Sequence, residues 1–480
     1  MKFSQKVGEI LWKFHKKWAR FCENIDKWWG FNYNWNMYIK RKIDKFLLDW
    51  KKNEERLPLV ISGARQVGKT ESILHFANEN YENVVYINFV ENPKFKDIVN
   101  DGYAVADIIK NISIADTSFN FVKNKTIIIF DEIQEQPDIA TALKFFAIEK
   151  SYDVICSGSL LGINYKRIHS LSVGYKTDYE MYSLDFEEFL NANGYGEKYI
   201  SDIFNHMLNL EKFSDVEHNT YKKMFLDYIV LGGMPKVVES YLSKNDFSDI
   251  DNKQLQIVND YEGDVRKYVE GLSQSKIIKV LRSIPTQLAK VNKKFQFSKI
   301  SNSARAREYE DAVEWLIDCG IVKKCNIIHN LEFPLKVNEE DNNYKIYYHD
   351  TGLLLSQYDE YTKEDVRIKK NIYVHRGAIY ENIASEMLYK QKIDLYSYRR
   401  YDSELELDFI MRHKENIVPI EVKAGKNQSK SLRTVIDNDK YEKISYGIKF
   451  VDKNIGFENN IYTFPQWTMF LLKRFLKEKI

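Results

Sequence analysis

The sequence predicts an α/β protein whose first half folds as a doubly wound parallel sheet, and three observations predict it. An apolar run at 57–62 (LPLVIS) passes directly into glycine, as a buried parallel strand does on entering a turn. A second run at 126–130 (TIIIF), rich in β-branched residues, stops at two acids, Asp131 and Glu132. Further strand-like runs at 84–89 (VVYINF), 153–157 (DVICS) and 179–184 (YEMYSL) are separated by segments long enough for crossover helices. Ligands of such sheets bind beyond the carboxyl ends of the strands, so the turn after residue 62, the two acids and the serines Ser157 and Ser159 are predicted to converge.

The chain around that sheet is long: its 480 residues exceed one ordinary domain, and roughly 150 residues per domain suggests about three. With 71 basic and 69 acidic residues the net charge is +2, which excludes an overall field for polyanions and confines any nucleic-acid surface to a local patch. Cys22, Cys156, Cys319 and Cys325 form no C-x-x-C pair, so neither a disulfide framework nor a zinc site is predicted, and a reducing cytoplasm is the expected location. No run approaches the ~18 apolar residues of a membrane span, and no cleavable leader is evident, so a soluble, unprocessed protein is expected. Residues 1–36 are basic and aromatic, with Trp12, Trp18, Trp28, Trp29 and Trp35. Val7, Leu11, Phe14, Trp18, Phe21, Ile25 and Trp28 recur at three and four, the spacing of one helical face. Such a face packs on its own protein, lies on an anionic membrane surface or clasps a partner protein, and the three readings stay open.

Residues 63–70 read Gly63-Ala64-Arg65-Gln66-Val67-Gly68-Lys69-Thr70 and match G-x-x-x-x-G-K-[ST] at every specified position; 71–78 continues with a helix-compatible pattern. Glycines let the main chain fold around phosphate oxygens with its N–H groups turned inward, Lys69 brings a cation to the β and γ phosphates, and the Thr70 hydroxyl can ligate Mg²⁺. The acids at the next strand end complete the chemistry. Asp131 suits the magnesium shell, and Glu132 suits polarisation of the attacking water, making Lys69 and Glu132 the predicted catalytic residues. Ser157 and Ser159 either hydrogen-bond the γ-phosphate or the water, or merely form a loop.

Four segments in order, GARQVGKT, IIIFDEIQEQP, CSGSLLG and SVGYKTDYEMYSLDFEEFL, resemble the AAA-type P-loop ATPases of bacteria and archaea that carry a C-terminal restriction-endonuclease-like (PD-(D/E)XK-type) domain. The resemblance runs from about residue 38 to residue 430. It implies ATP rather than GTP, and no guanine-reading N-K-x-D stands at a suitable strand end. In that family Arg or Lys usually follows the glycine of the last segment; here Gly174 precedes Tyr175, with Lys176 one place later, which leaves a charge-sensing role there open. Arg167 is a candidate arginine finger by position. The resemblance further implies a helical lid over 191–265, broken at Leu231-Gly232-Gly233-Met234-Pro235, and a winged helix over 266–335. Lys290, Lys293, Lys294, Lys299, Arg305 and Arg307 bias the latter positive, so it is either a rigid spacer or a DNA-binding element acting through its second helix.

In the last third, 377–382 (GAIYEN) opens a helix, 405–409 (LELDF) alternates as a strand, and 417–424 (IVPIEVKA) forms another. Side chains two apart on a strand share a face, so Glu421 and Lys423 stand together, opposite Val418, Ile420 and Val422. Across a hairpin turned near 413–416, Asp408 can meet both. Two carboxylates and a lysine so placed resemble the D…E-x-K centre of restriction-endonuclease-like domains, with Glu381 matching the helical glutamate and Mg²⁺ as the implied ion. The bland alternative is an amphipathic hairpin with solvent-facing charges. The expected domains are thus 1–36, 37–190, 191–265, 266–335 and 336–480. The expected activity is ATP hydrolysis that moves or gates the winged-helix and nuclease-like parts, with DNA as a candidate partner. A Mg²⁺-dependent DNA endonuclease regulated by ATP and a nucleotide-gated interaction switch are the alternatives.

Overall fold

The computed structural model describes residues 38–159, 172–290, 292–301, 304–359, 361–368, 376–425 and 430–479. The aromatic N-terminal stripe, Cys22 and Arg167 lie outside them.

Five strands, β1 (Leu59–Ser62), β2 (Asn83–Asn88), β3 (Thr126–Asp131), β4 (Asp153–Ser157) and β5 (Thr177–Glu180), form one sheet in the order β2-β3-β4-β1-β5. Every pairing is parallel, as the crossover lengths require. Alternation explains the two covered faces. Val60, Ile128, Phe130 and Val154 join one apolar cluster with Ile108, Leu143 and Phe146 of the helices Val105–Ala115 and Ile139–Glu149. Leu59, Ile61, Ile127, Ile129 and Ile155 join another with Leu47, Ile73 and Phe76 of the helices Lys42–Lys52 and Lys69–Asn80. The strand expected at 179–184 is shorter and earlier: β5 ends at Glu180, and Met181 instead gives its N–H to the Ser62 carbonyl.

The helix expectation for 191–265 holds in the helices Glu197–Asn209, Asp215–Leu231, Pro235–Lys244 and Ile250–Tyr268. The break at 232–234 is enforced by contact. The Gly233 carbonyl accepts from Leu184 N–H at 2.7 Å, and a Cβ on Gly233 would overlap the Leu184 carbonyl. Beyond it come the helices Leu272–Leu288 and Ala306–Asp318, then the antiparallel pair β6 (Val322–Ile328) and β7 (Tyr344–Tyr348).

That pair belongs to a second sheet. With β8 (Tyr396–Arg399), β9 (Glu406–His413), β10 (Asn416–Val422), β11 (Gly447–Val451), β12 (Gly456–Glu458) and β13 (Ile461–Pro465), it forms the order β12-β13-β11-β10-β9-β8-β6-β7. The expected boundary at 335/336 therefore falls between two paired strands. A local apolar pattern announces a strand but not its partner, and β6 pairs in parallel with β8, seventy residues away. The helix Arg376–Lys390 packs across β7 and β10 and is buried over most of its length.

Gly233→Ala is expected to lower unfolding stability by about 2–4 kcal/mol, because the displaced neighbour is backbone. Gly263→Ala, inside the helix Ile250–Tyr268 with open space at its Cβ, is expected to raise stability by up to about 1 kcal/mol. Urea denaturation of both variants checks the pair, and equal effects would contradict it.

Candidate functional site

The loop 63–68 leaves β1 and caps the helix Lys69–Asn80. Gly63 has φ 143°, and a Cβ there would overlap the Met181 carbonyl, so the loop passes the residue after β5 at a distance only glycine permits. Lys69 is buried, with Nζ 2.9 Å from the carbonyls of both Gly63 and Ala64. Burial pulls its ammonium down to about 8, against the attraction of Glu132 and Asp131.

Thr70 stands one residue on, and its hydroxyl donates to Asp131 Oδ2 at 2.8 Å. Asp131, at the end of β3, is 2% exposed. Its Oδ2 also accepts from Tyr86 OH at 3.0 Å, and its Oδ1 accepts from the Glu132 N–H at 3.0 Å and from the Ser157 hydroxyl. Ser157 thus holds the acid. Ser159 is buried and lines a small cavity with Arg65, Tyr261, Asp264 and Trp315. The predicted convergence of loop, acids and serines occurs, and Tyr86 joins it unforeseen. Its signal was the register of β2 beside β3, where Tyr86 lies opposite Ile129, two residues short of the acid; sequence spacing does not display that relation.

Glu132 sits in a left-handed turn at φ 55°, the conformation that reverses the chain out of β3. Its carboxylate accepts from Gln134 Nε2. Burial, then the neighbouring Asp131 charge, raises its proton affinity above that of an ordinary glutamate, while Lys69 and Arg65 oppose the rise. A carboxylate so tuned is a stronger base toward water.

Elements outside the first sheet close on the loop. Arg41, buried ahead of the helix Lys42–Lys52, donates to the Val67 carbonyl at 2.9 Å and the Tyr182 carbonyl at 2.7 Å, and pairs with Glu188 at 3.1 Å. From the helix Ile250–Tyr268, Asp264 pairs with Arg65, Asp260 accepts from Gln66 Nε2 at 2.7 Å, and Tyr261 OH donates to the Arg65 carbonyl at 3.2 Å. Neither Arg41 nor the two aspartates carried a motif, and only their tertiary position marks them. Lys176, offered above as a charge near the site, pairs with Asp178.

The C-terminal quartet also converges. Asp408 Oδ2 accepts from the Val422 N–H at 2.9 Å and lies 3.8 Å from Lys423 Nζ, which pairs with Glu421 at 2.8 Å. Glu421 is 4% exposed where the helix Arg376–Lys390 packs on β10, so its carboxylate does not face solvent, whereas Lys423 stays partly exposed. Glu381, from that helix, accepts from Tyr347 OH at 3.0 Å and pairs with Lys293. Lys345 adds an ion pair to Glu406 at 2.8 Å and lies 3.7 Å from Glu381. Burial would raise Glu381, but Lys293 and Lys345 hold it at about 2; burial and the Glu381 charge push Asp408 up to about 6. A magnesium ion fits poorly here, because lysines already neutralise the carboxylates, and among the described residues no group of three or more His, Cys, Asp and Glu is arranged for a metal. Glu421 Oε2 is nonetheless buried without a hydrogen-bond partner. No helix among the described residues is long and apolar enough to cross a membrane.

Residues 55–190 match the family model of an AAA domain. Residues 222–363 and 376–468 match two models of domains of unknown function, DUF8612 and DUF4143. The first of these spans both expected boundaries, 265/266 and 335/336. No curated protein matches the chain. Among solved structures, the Aeropyrum pernix ORC1 protein in complex with DNA is 12% identical, covering 70% of this chain and 92% of that one at a TM-score of 0.27. The Thermotoga maritima RuvB Holliday junction branch migration motor is 12% identical, covering 69% and 96% at 0.29. AMPPCP-bound DnaA from Aquifex aeolicus is 14% identical, covering 57% and 86% at 0.27. The family match and the geometry of loop and acids agree with each other: over residues 55–190 the chain is similar to an AAA domain and carries a P-loop beside two acids at the carboxyl ends of parallel strands.

Proposed function

We propose that the protein binds ATP with Mg²⁺ at the 63–70 loop and hydrolyses it to ADP and phosphate. The observation that carries this reading is the meeting of Lys69, Thr70, Asp131 and Glu132 at the carboxyl ends of β1 and β3. The Thr70 hydroxyl and the Asp131 carboxylate, 2.8 Å apart, are a hard oxygen pair of the kind magnesium prefers, and an ion bound there would offset phosphate charge. The loop amides and Lys69 hold the phosphates in place. Glu132 then orients water and takes its proton, while Asp131 anchors the Glu132 amide and Gln134 Nε2 donates to the Glu132 carboxylate.

The same proposal assigns 191–265 as a lid, 266–335 as a winged-helix-like segment whose strand β6 is shared with the second sheet, and the second sheet as a restriction-endonuclease-like unit moved by the nucleotide cycle. A buried polar network supports the coupling. Asp350 accepts from the Gly233 N–H at 2.7 Å and the Ser183 hydroxyl at 3.1 Å. Lys390 donates to Ser183 Oγ and the Leu184 carbonyl, both at 2.9 Å, and pairs with Glu386 at 2.7 Å. The segment after β5, the 232–235 turn and the helix Arg376–Lys390 are thereby tied at one point. A cytoplasmic location belongs to the same reading, supported by the free, buried thiols of Cys156, Cys319 and Cys325.

A second reading, a metal-dependent nuclease regulated by ATP, is favoured by one observation, the buried and unpartnered Glu421 Oε2. DNA contact would fall to the exposed Lys290, Lys299, Arg305 and Arg307.

Lys69→Ala is expected to abolish detectable ATP binding, whereas Glu132→Gln retains binding and loses turnover by about 10²-fold or more. Phosphate release and titration calorimetry check both, and full hydrolysis by either variant contradicts the assignment. Lys69 loses its proton through about pH 8, and phosphate charge restores it. Affinity is therefore expected to fall as pH rises above about 8, with proton uptake on binding that makes the calorimetric enthalpy depend on the buffer. Buffer-independent enthalpy there would contradict this. With plasmid and Mn²⁺, the paired carboxylates predict no cleavage; cleavage lost in Asp408→Ala would install the nuclease reading instead.

A further inference from the structure

The loop carries one charge that phosphate binding by amides and lysine does not require. Arg65 lies in its third position, and the guanidinium pairs with Asp264 of the helix Ile250–Tyr268, although the Arg65 side chain is 48% exposed and that of Asp264 only 7%. The Arg65 main chain is anchored separately, by Tyr261 OH on its carbonyl, so the side chain can change partner without moving the loop. Its charge acts on both Lys69 and Glu132, the two residues between which a terminal phosphate must lie. Asp264, for its part, is pushed toward protonation by burial, with Arg65 the foremost opposing charge.

We propose that Arg65 is a γ-phosphate contact in cis, exchanged between Asp264 and the terminal phosphate of a bound nucleoside triphosphate. The proposal rests on nucleotide binding at the 63–70 loop. A triphosphate presents several negative oxygens to the guanidinium, against one carboxylate, and a planar guanidinium binds phosphate with two parallel hydrogen bonds. A diphosphate leaves the terminal position empty and Arg65 on Asp264. The exchange releases one of the three contacts between the helix Ile250–Tyr268 and the loop, leaving Asp260 on Gln66 and Tyr261 on the Arg65 carbonyl. That helix also carries Gln254, which donates to the carbonyls of Val230 at 2.9 Å and Leu231 at 2.8 Å, beside the 232–235 turn. Arg65 thus reports the third phosphate to the element that borders the lid turn.

The test uses the full chain, titrated with ADP and with a non-hydrolysable ATP analogue, for wild type, Arg65→Ala, Arg65→Lys and Asp264→Asn. Removing a charge-assisted contact is expected to weaken the triphosphate analogue by about tenfold in Arg65→Ala while ADP changes by less than about threefold. Asp264→Asn, which removes the competing carboxylate, is expected to tighten the analogue relative to ADP, and Arg65→Lys to recover part of the loss. Hydrogen exchange of the helix Ile250–Tyr268 is expected to rise with the analogue in wild type and not in Arg65→Ala. Equal weakening of both nucleotides in Arg65→Ala, or a weaker analogue in Asp264→Asn, overturns the proposal while leaving nucleotide binding intact. A wild type that binds neither nucleotide overturns the underlying reading and this one with it.

Discussion

The Asp131 carboxylate organises the nucleotide-binding end of the molecule. It is almost fully buried and accepts from Thr70, Tyr86, Ser157 and the Glu132 amide. A carboxylate taken out of water costs several kcal/mol unless donors replace its hydration, so these groups are obligatory rather than ornamental. They come from the helix after the loop, from β2, from β4 and from the residue that turns the chain out of β3. The register that sets Asn88 beside Asp131, and Phe130 beside Cys156, brings Tyr86 and Ser157 within reach of that carboxylate. Glu132 receives its direction as a by-product, because its own N–H is one of the donors.

A comparable arrangement joins the two sheets. Asp350 is fully buried, pushed up to about 6 by burial and by Glu386, and it caps the helix Thr351–Leu355 while gripping Gly233 and Ser183. Lys390 and Glu386 complete the network, together with Thr351 and Tyr228. Interactions inside a low-dielectric interior strengthen one another when every member is satisfied, and they become costly when one is lost. Such a network has few alternative arrangements, so it fixes the 232–235 turn and the segment after β5 against the helix Arg376–Lys390.

In the second sheet, lysines from three separate segments meet carboxylates from a helix and a hairpin. Buried ion pairs of this kind contribute little net stability, since desolvation offsets most of their attraction. Their effect is on geometry. Lys345 of β7 reaches Glu406 of β9 and approaches Glu381 of the helix, so the position of that helix over the sheet is set by charge as well as by apolar contact.

The loop 63–70, the acid pair and the strand alternation of the first sheet were legible from the sequence alone, because each depends on near neighbours: main-chain conformation, side chains two apart on a strand, and a strand running into a turn. The hairpin that brings Asp408 to Glu421 and Lys423 was legible for the same reason. Tertiary structure alone decided which elements close on these local units. The pairing of β6 with β8, the closure of the helix Ile250–Tyr268 over the loop through Asp260 and Asp264, and the arrival of Lys293 at Glu381 span long stretches of chain. No local period records such encounters. Aspartate or lysine reads as a solvated surface residue until burial forces it to find a partner, and burial is a property of the packed molecule.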